Sequence, residues 1–154
     1  MEKKYSIQDF LEIKVAAGAS FSPDGTQVAY LSNLSGTQQI YVVPRGSGVA
    51  QQLTDYEDSI SHASFSPTKE EILFGKAQGG NEKTQFFILD LASGAVRPLT
   101  HDENAMHRFG GWSRDGKWIT YSSNARNGID FDVYVMNVES GLVEMLFSEG
   151  GWCD

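Results

Sequence analysis

This chain holds a single cysteine, Cys153, so no internal disulfide can brace it and stability has to come from packing. A chain without disulfides suits a reducing compartment. No apolar run approaches the roughly 18 residues that a membrane-spanning helix needs. Residues 5–14 alternate apolar with charged side chains, which is not the h-region of a secretory signal. The expectation is a cytoplasmic protein with no membrane partner. Basic charge is also short, since 12 Lys and Arg stand against 20 Asp and Glu and leave a net charge of -8. Nucleic-acid binders carry basic stripes, and only Met1-Glu2-Lys3-Lys4 is locally basic, so no nucleic-acid partner is expected.

What the chain does have is a segment that returns. Phe21-Ser22-Pro23-Asp24-Gly25 reappears as Phe65-Ser66-Pro67-Thr68-Lys69 and as Trp112-Ser113-Arg114-Asp115-Gly116. The step is about 45 residues, and a fixed period of that size is the mark of repeat architectures. Two small residues precede each aromatic: Ala19-Ser20, Ala63-Ser64 and Gly110-Gly111. After it come Val28 and Tyr30, Ile72 and Phe74, Ile119 and Tyr121, and then the apolar runs beginning at Ile40, Phe86 and Val133. The copies close at Leu53-Thr54, Leu99-Thr100 and Leu146-Phe147.

Periodicity within each copy is two, the signature of strands. Pro23 presets the turn, Asp24 tolerates its next position and Gly25 supplies the left-handed residue. The second copy has Thr68-Lys69 where Asp-Gly is expected, which predicts a looser turn. Second strands are expected at Gln27–Ser32, Glu71–Lys76 and Lys117–Ser123, the third strand is the most apolar, and the fourth is short and ends at Leu-Thr. Ahead of the repeats, Ser6-Ile7-Gln8-Asp9 reads as a capping box. Ile7, Phe10 and Leu11 then share a helical face, which predicts a short helix from Ile7 to Ile13 packed on the sheet edge. The organisation follows: a leader over 1–15, blades over 16–55, 56–101 and 102–149, and the start of a further connection over 150–154.

Four short antiparallel strands per repeat is the pattern of a β-propeller blade. The fold class is therefore all-β, a β-propeller of three four-stranded antiparallel blades forming part of a ring, with a short N-terminal helix. At these residues the sequence resembles the WD40-like repeats called PD40, the blades of TolB-like propellers and of the N-terminal propeller of prolyl oligopeptidase-type (S9) serine peptidases. The leader running from Tyr5 to Leu11 resembles the start of the peptidase propellers more than that of a secreted TolB. Members of these families close rings of six to eight blades. That resemblance implies further blades and a hydrolase domain in a longer chain, or a second copy completing the ring, with peptides as ligands. It also implies a propeller that restricts access to the nucleophile; a TolB-like protein-interaction scaffold is the alternative.

No catalytic set is expected in this chain. The peptidase family needs a Gly-x-Ser-x-Gly elbow, then Asp, then His, and Gly111-Trp112-Ser113-Arg114-Asp115 lacks the second glycine. His62, His101 and His107 have no metal-ligand spacing, and no phosphate-cradling loop precedes a helix, so neither metal nor cofactor is expected. Asn127-Gly128-Ile129-Asp130-Phe131-Asp132 hints at a cation loop but lacks the ligand ladder of an EF-hand, and an Asx turn is the plainer explanation. The three histidines lie at or near the connections between a fourth strand and the next first strand. With Asp102, Glu103 and Arg108 they form the candidate ring-face contact; solvated loop residues are the plain alternative.

Overall fold

The first Ser-Pro-Asp-Gly closes through the residues that recommended it. Gly25 sits at φ 69° and donates its N–H to the Ser22 carbonyl at 2.9 Å, a backbone state that favours glycine. The Ser22 hydroxyl donates to Asp24 at 2.7 Å and accepts the Gln27 N–H at 2.9 Å. The third repeat rebuilds the same knot, with Ser113 donating to Asp115 at 2.6 Å and accepting from Trp118 N–H at 2.9 Å. In the second, the N–H groups of Thr68 and Lys69 reach Ser66 Oγ at 3.4 and 3.3 Å. Without a carboxylate to gather the turn, its contacts lengthen.

The computed structural model describes residues 6–8, 12–46 and 48–148. Their strands form three separate antiparallel four-stranded sheets, each in sequence order, and no ladder crosses from one to the next. The first contains β1 (Ala16–Phe21), β2 (Gln27–Ser32), β3 (Gln39–Pro44) and β4 (Gln51–Gln52). Next come β5 (Ile60–Phe65), β6 (Glu71–Lys76), β7 (Gln85–Asp90) and β8 (Val96–Pro98). The last has β9 (His107–Trp112), β10 (Trp118–Ser123), β11 (Asp132–Asn137) and β12 (Val143–Phe147).

Middle strands pair without a slip, so Tyr30 faces Tyr41, Phe74 faces Phe87 and Tyr121 faces Tyr134. The first strand of every sheet bulges, between Ala17 and Ser20, Ile60 and His62, and Phe109 and Gly111. Small residues and glycine at these places accommodate the bend that a bulge imposes.

Leu-Thr does not end the fourth strand in the first two sheets; β4 and β8 stop before it. Leu53 and Leu99 still donate to the carbonyls of Ile40 and Phe86, and the hydroxyls of Thr54 and Thr100 accept the N–H groups of those residues at 2.9 Å. A buried side chain has replaced a ladder bond, as a buried N–H requires. In the third sheet Phe147 offers no hydroxyl, and the strand itself runs on to pair Phe147 with Val133.

Two apolar clusters hold the sheets together. Between the first and second lie Ala29, Leu31, Ile40, Ile60, Ala63, Phe65, Ile72 and Phe74. Between the second and third lie Leu73, Phe86, Ile88, Ile119, Tyr121, Met136 and Val138. Burial of this kind contributes about 25 cal/mol per Å² of apolar surface and is the main tie between neighbouring repeats.

The expected N-terminal helix is not seen. Only Ile7 and Gln8 are helical among the described residues; Asp9, Phe10 and Leu11 lie outside them, and one Glu12 N–H to Gln8 carbonyl bond spans the gap. Ile7 is exposed, so this residue of the expected face covers no sheet edge; the other two, Phe10 and Leu11, lie outside the described residues. No helix of the described residues is long and apolar enough to cross a membrane.

Candidate functional site

Two of the three histidines belong to the first strands of their sheets, not to connections. His62 is the third residue of β5 and His107 the first of β9. The register makes their settings comparable. His107 occupies in the third sheet the place that Ile60 fills in the second, and each is tied by its N–H to the preceding repeat, Ile60 to the Gln38 carbonyl and His107 to that of Thr84. The bulges fall at different places in β5 and β9, so the residue that matches His62 in the ladder is Arg108, opposite Ser122, while Phe109 matches Ala63.

The bulge after Ile60 turns His62 toward Gly75, its partner on β6. A Cβ on residue 75 would collide with the imidazole, so the missing side chain makes the space that the ring occupies. Ser61 donates its hydroxyl to the Gly75 carbonyl at 3.0 Å. The His62 ring stacks on Phe109 at 5.1 Å and 3° and meets Phe86 edge-on at 5.4 Å. His107 packs against Phe86 at 5.5 Å and against Tyr121 at 5.6 Å, and Tyr121 stacks in turn on Tyr134.

These rings leave polar atoms without partners. Neither nitrogen of His107 makes a hydrogen bond, and Nε2 of His62 makes none, although all three atoms are buried. Burial pushes both imidazoles down, each to about 4, with Asp102 opposing the effect at His107. Desolvation penalises the charged ring, so both are neutral at pH 7. Tyr121 is pushed up to about 12 by its burial. Ser61, His62, Thr84, Met106, His107, Arg108 and Phe109 line a hollow of about 290 Å³ beside them. The Arg108 guanidinium lies 4.4 Å over the Phe131 ring.

The structure thus brings His62, His107 and Arg108 to one hollow. His101, Asp102 and Glu103 are exposed in the connection before β9. Asp102 caps the Asn104 N–H, its carbonyl accepts from Gln85 at 2.7 Å, and Glu103 lines a different groove with Lys76 and Lys83. Sequence reasoning missed Ser61, Gly75, Thr84, Phe86 and Phe109 as parts of the site. The available signal was His107 itself, a polar residue in a register position where the preceding repeat carries isoleucine.

Other candidates resolve locally. Ser113 is committed to its turn. Asn127 Oδ1 accepts the N–H groups of Ile129 and Asp130, the expected Asx turn. Asp132 is fully buried and held by Arg126 at 2.6 Å.

Comparison with known proteins agrees with this architecture. The chain is 31% identical over 84 residues to the Tol-Pal system protein TolB of Francisella tularensis, covering 54% of this chain and 19% of that protein. It is 29% identical over 155 residues to the uncharacterized peptidase YuxL of Bacillus subtilis, covering 75% and 23%. The chain therefore spans about a fifth of the length of these curated relatives. Among solved structures it superposes on a putative TolB from Agrobacterium tumefaciens with TM-score 0.74 and 24% identity, covering 86% and 49%. It also superposes on the β-propeller domain of the Trilobed protease from Pyrococcus furiosus with TM-score 0.66, over 89% of this chain and 44% of that one. The TolB beta propeller domain family, PD40, matches residues 6–151, and the chain belongs to it.

Proposed function

We propose that this chain is the non-catalytic propeller segment of a cytoplasmic serine peptidase of the prolyl oligopeptidase type, restricting access to a hydrolase domain outside residues 1–154. The observation that carries the reading is the extent of the peptidase relative, which matches 75% of this chain where the TolB relative matches 54%. The flanks of the arc support it. Ala16, Ala17, Gly18 and Ala19 with Val28 and Tyr30 line an open apolar hollow at one end. Val143, Met145, Leu146 and Phe147 are exposed at the other. Apolar surface of that kind fits further blades on both sides.

The test uses a fluorophosphonate probe on the 154-residue chain and on the product of its complete reading frame. The expected result is no labelling of the short chain and labelling of a serine outside it, with cleavage of short fluorogenic peptides but not of folded proteins. A labelled serine within residues 1–154, or a complete product without a reactive serine, overturns the reading. The higher identity to TolB over its shorter span favours a second reading, an interaction scaffold that docks another protein. An unreactive complete product would select it.

A further inference from the structure

The outer rim of the first seam is open, and a hollow of about 400 Å³ lies there between Val42 and Leu53 of the first sheet and Leu91 and Ala92 of the second. The opening starts at one residue. In the second and third sheets the residue that ends the third strand gathers the turn behind it. Asp90 accepts the N–H and hydroxyl of Ser93, and Asn137 accepts the N–H groups of Glu139 and Ser140. Pro44 holds that register position in the first sheet and has no side-chain acceptor. The turn after it leaves Val49 91% exposed at the edge of the hollow. The same place in the second seam carries other residues, Val138 and Glu139 for Leu91 and Ala92, and Lys117 for Glu70. Val138 is buried there, and Lys69 donates to Glu139 at 2.7 Å, with Lys117 and Arg97 also acting on that carboxylate. An ion pair thus spans the second rim. No Lys or Arg lines the hollow of the first, and its one charged lining residue is Glu70. The adjacent Lys69 is turned to Glu139.

We propose that this hollow binds a small organic amine, an ammonium carried on an aliphatic chain. Val42, Pro44, Leu53 and Leu91 offer apolar walls to the chain, the kind of lining on which small-ligand sites are built. The Glu70 carboxylate supplies the charge that selects a cation, and Gln27 and Gln51 bring amide oxygens that accept from its N–H groups. An alcohol of the same length finds the walls and misses the charge. A carboxylic acid of that length meets repulsion from Glu70. Val49, Glu70 and Ala92 are exposed, so the hollow is entered from solvent. Nothing here depends on the peptidase reading, because binding is measured on this chain alone.

The experiment is an NMR titration that follows the methyl resonances of Val42, Val49, Leu53 and Leu91. Hexylammonium chloride, hexanol, sodium hexanoate and N-acetyl-lysine methylamide are the probes. Ile88 and Val138 hold the places of Val42 and Leu91 in the second seam and serve as internal controls. Hexylammonium is expected to shift the four first-seam residues saturably and to leave both controls unmoved. Hexanol should bind about threefold more weakly, the loss of one exposed charge pair, and hexanoate more weakly still. Glu70→Gln should lower hexylammonium affinity by the same factor and leave hexanol unchanged. Ala92→Phe, at an exposed position of the rim, is expected to abolish the binding of both by filling the hollow. Equal affinities for hexylammonium and hexanol in the parent would overturn the proposal, as would equal shifts at Ile88 and Val138 or no shift at all. Tighter binding of the lysine derivative than of hexylammonium would assign the hollow to a peptide side chain and overturn the free amine. Unchanged affinity in both variants, with dispersed amide spectra showing that they fold, would overturn it as well.

Discussion

The two seams of this arc are built from the same strands in the same register and differ in chemistry. The seam between the first and second sheets sets Ile60 and Ala63 against Ala29, Leu31 and Ile40, with Phe65 and Phe74 in the same cluster, and borders an open hollow of about 400 Å³ beside Val42, Leu53 and Leu91. It even carries a cross-sheet bond from the Phe65 N–H to Ser20 Oγ at 3.0 Å. The seam between the second and third is aromatic, encloses a hollow, and keeps two histidines. Flat rings meet at fixed angles, and in the second seam they include two imidazoles whose buried nitrogens find no partner. Both seams border a hollow, and among the described residues only the second buries histidines beside one.

Phe86 separates the two cases most sharply. It is fully buried and touches His62, His107, Phe109 and Tyr121, whereas the equally buried Phe74 of the first seam touches Tyr56 and Phe87. Removing either ring is expected to cost about 3–5 kcal/mol, read by denaturant unfolding. Only Phe86→Ala should also collapse the distinct imidazole signals of His62 and His107 toward that of His101. If Phe74→Ala does the same, the seams are not separate units.

Acid should act on the second seam first. Both histidines titrate near 4 when folded, below the ordinary 6.5 of the unfolded chain. Between those values the unfolded state binds more protons. Stability is therefore complete above about pH 6.5 and is lost as pH falls toward 4, by up to about 3 kcal/mol per histidine at 1.4 kcal/mol per unit. The first seam buries no histidine between its sheets. Unfolding free energies measured from pH 7 to 4 should fall steeply in the parent and much less in a His62→Phe/His107→Ile double variant. Equal slopes would mean that carboxylates, not these rings, govern the decline.

Much of this arrangement is legible in the sequence because repetition supplies its own control. Three copies of an aromatic, a turn and two apolar runs give the strands and their order, since a feature that recurs in register cannot be accidental. The second strands lie within a residue of where alternation puts them. The leader has no such control: the face of Ile7, Phe10 and Leu11 occurs once, and helical spacing says nothing about whether a surface exists to receive it. His101 lies in the connection as expected, but His62 and His107 lie just inside the strands that follow, because a residue at the edge of a strand looks the same, in one dimension, as one in a loop. Their burial depends on a bulge after Ile60, on the vacancy at Gly75 and on rings contributed from three strands, and none of these is a local property. Comparing copies position by position would have found His107, since Ile60 is its counterpart.

That counterpart supplies the finest test. His107→Ile gives the second seam the residue that the first already uses, of similar volume and without nitrogen. With two unpartnered buried nitrogens removed, the variant should be more stable at pH 7 by about 1–3 kcal/mol, the cost of unsatisfied buried groups. For a chain of this size that corresponds to roughly 2–4 °C in Tm per kcal/mol. A variant that is less stable than the parent would mean that the nitrogens find partners in solution. The hollow would then be occupied by hydration that belongs to the fold, and the two seams would differ in shape alone.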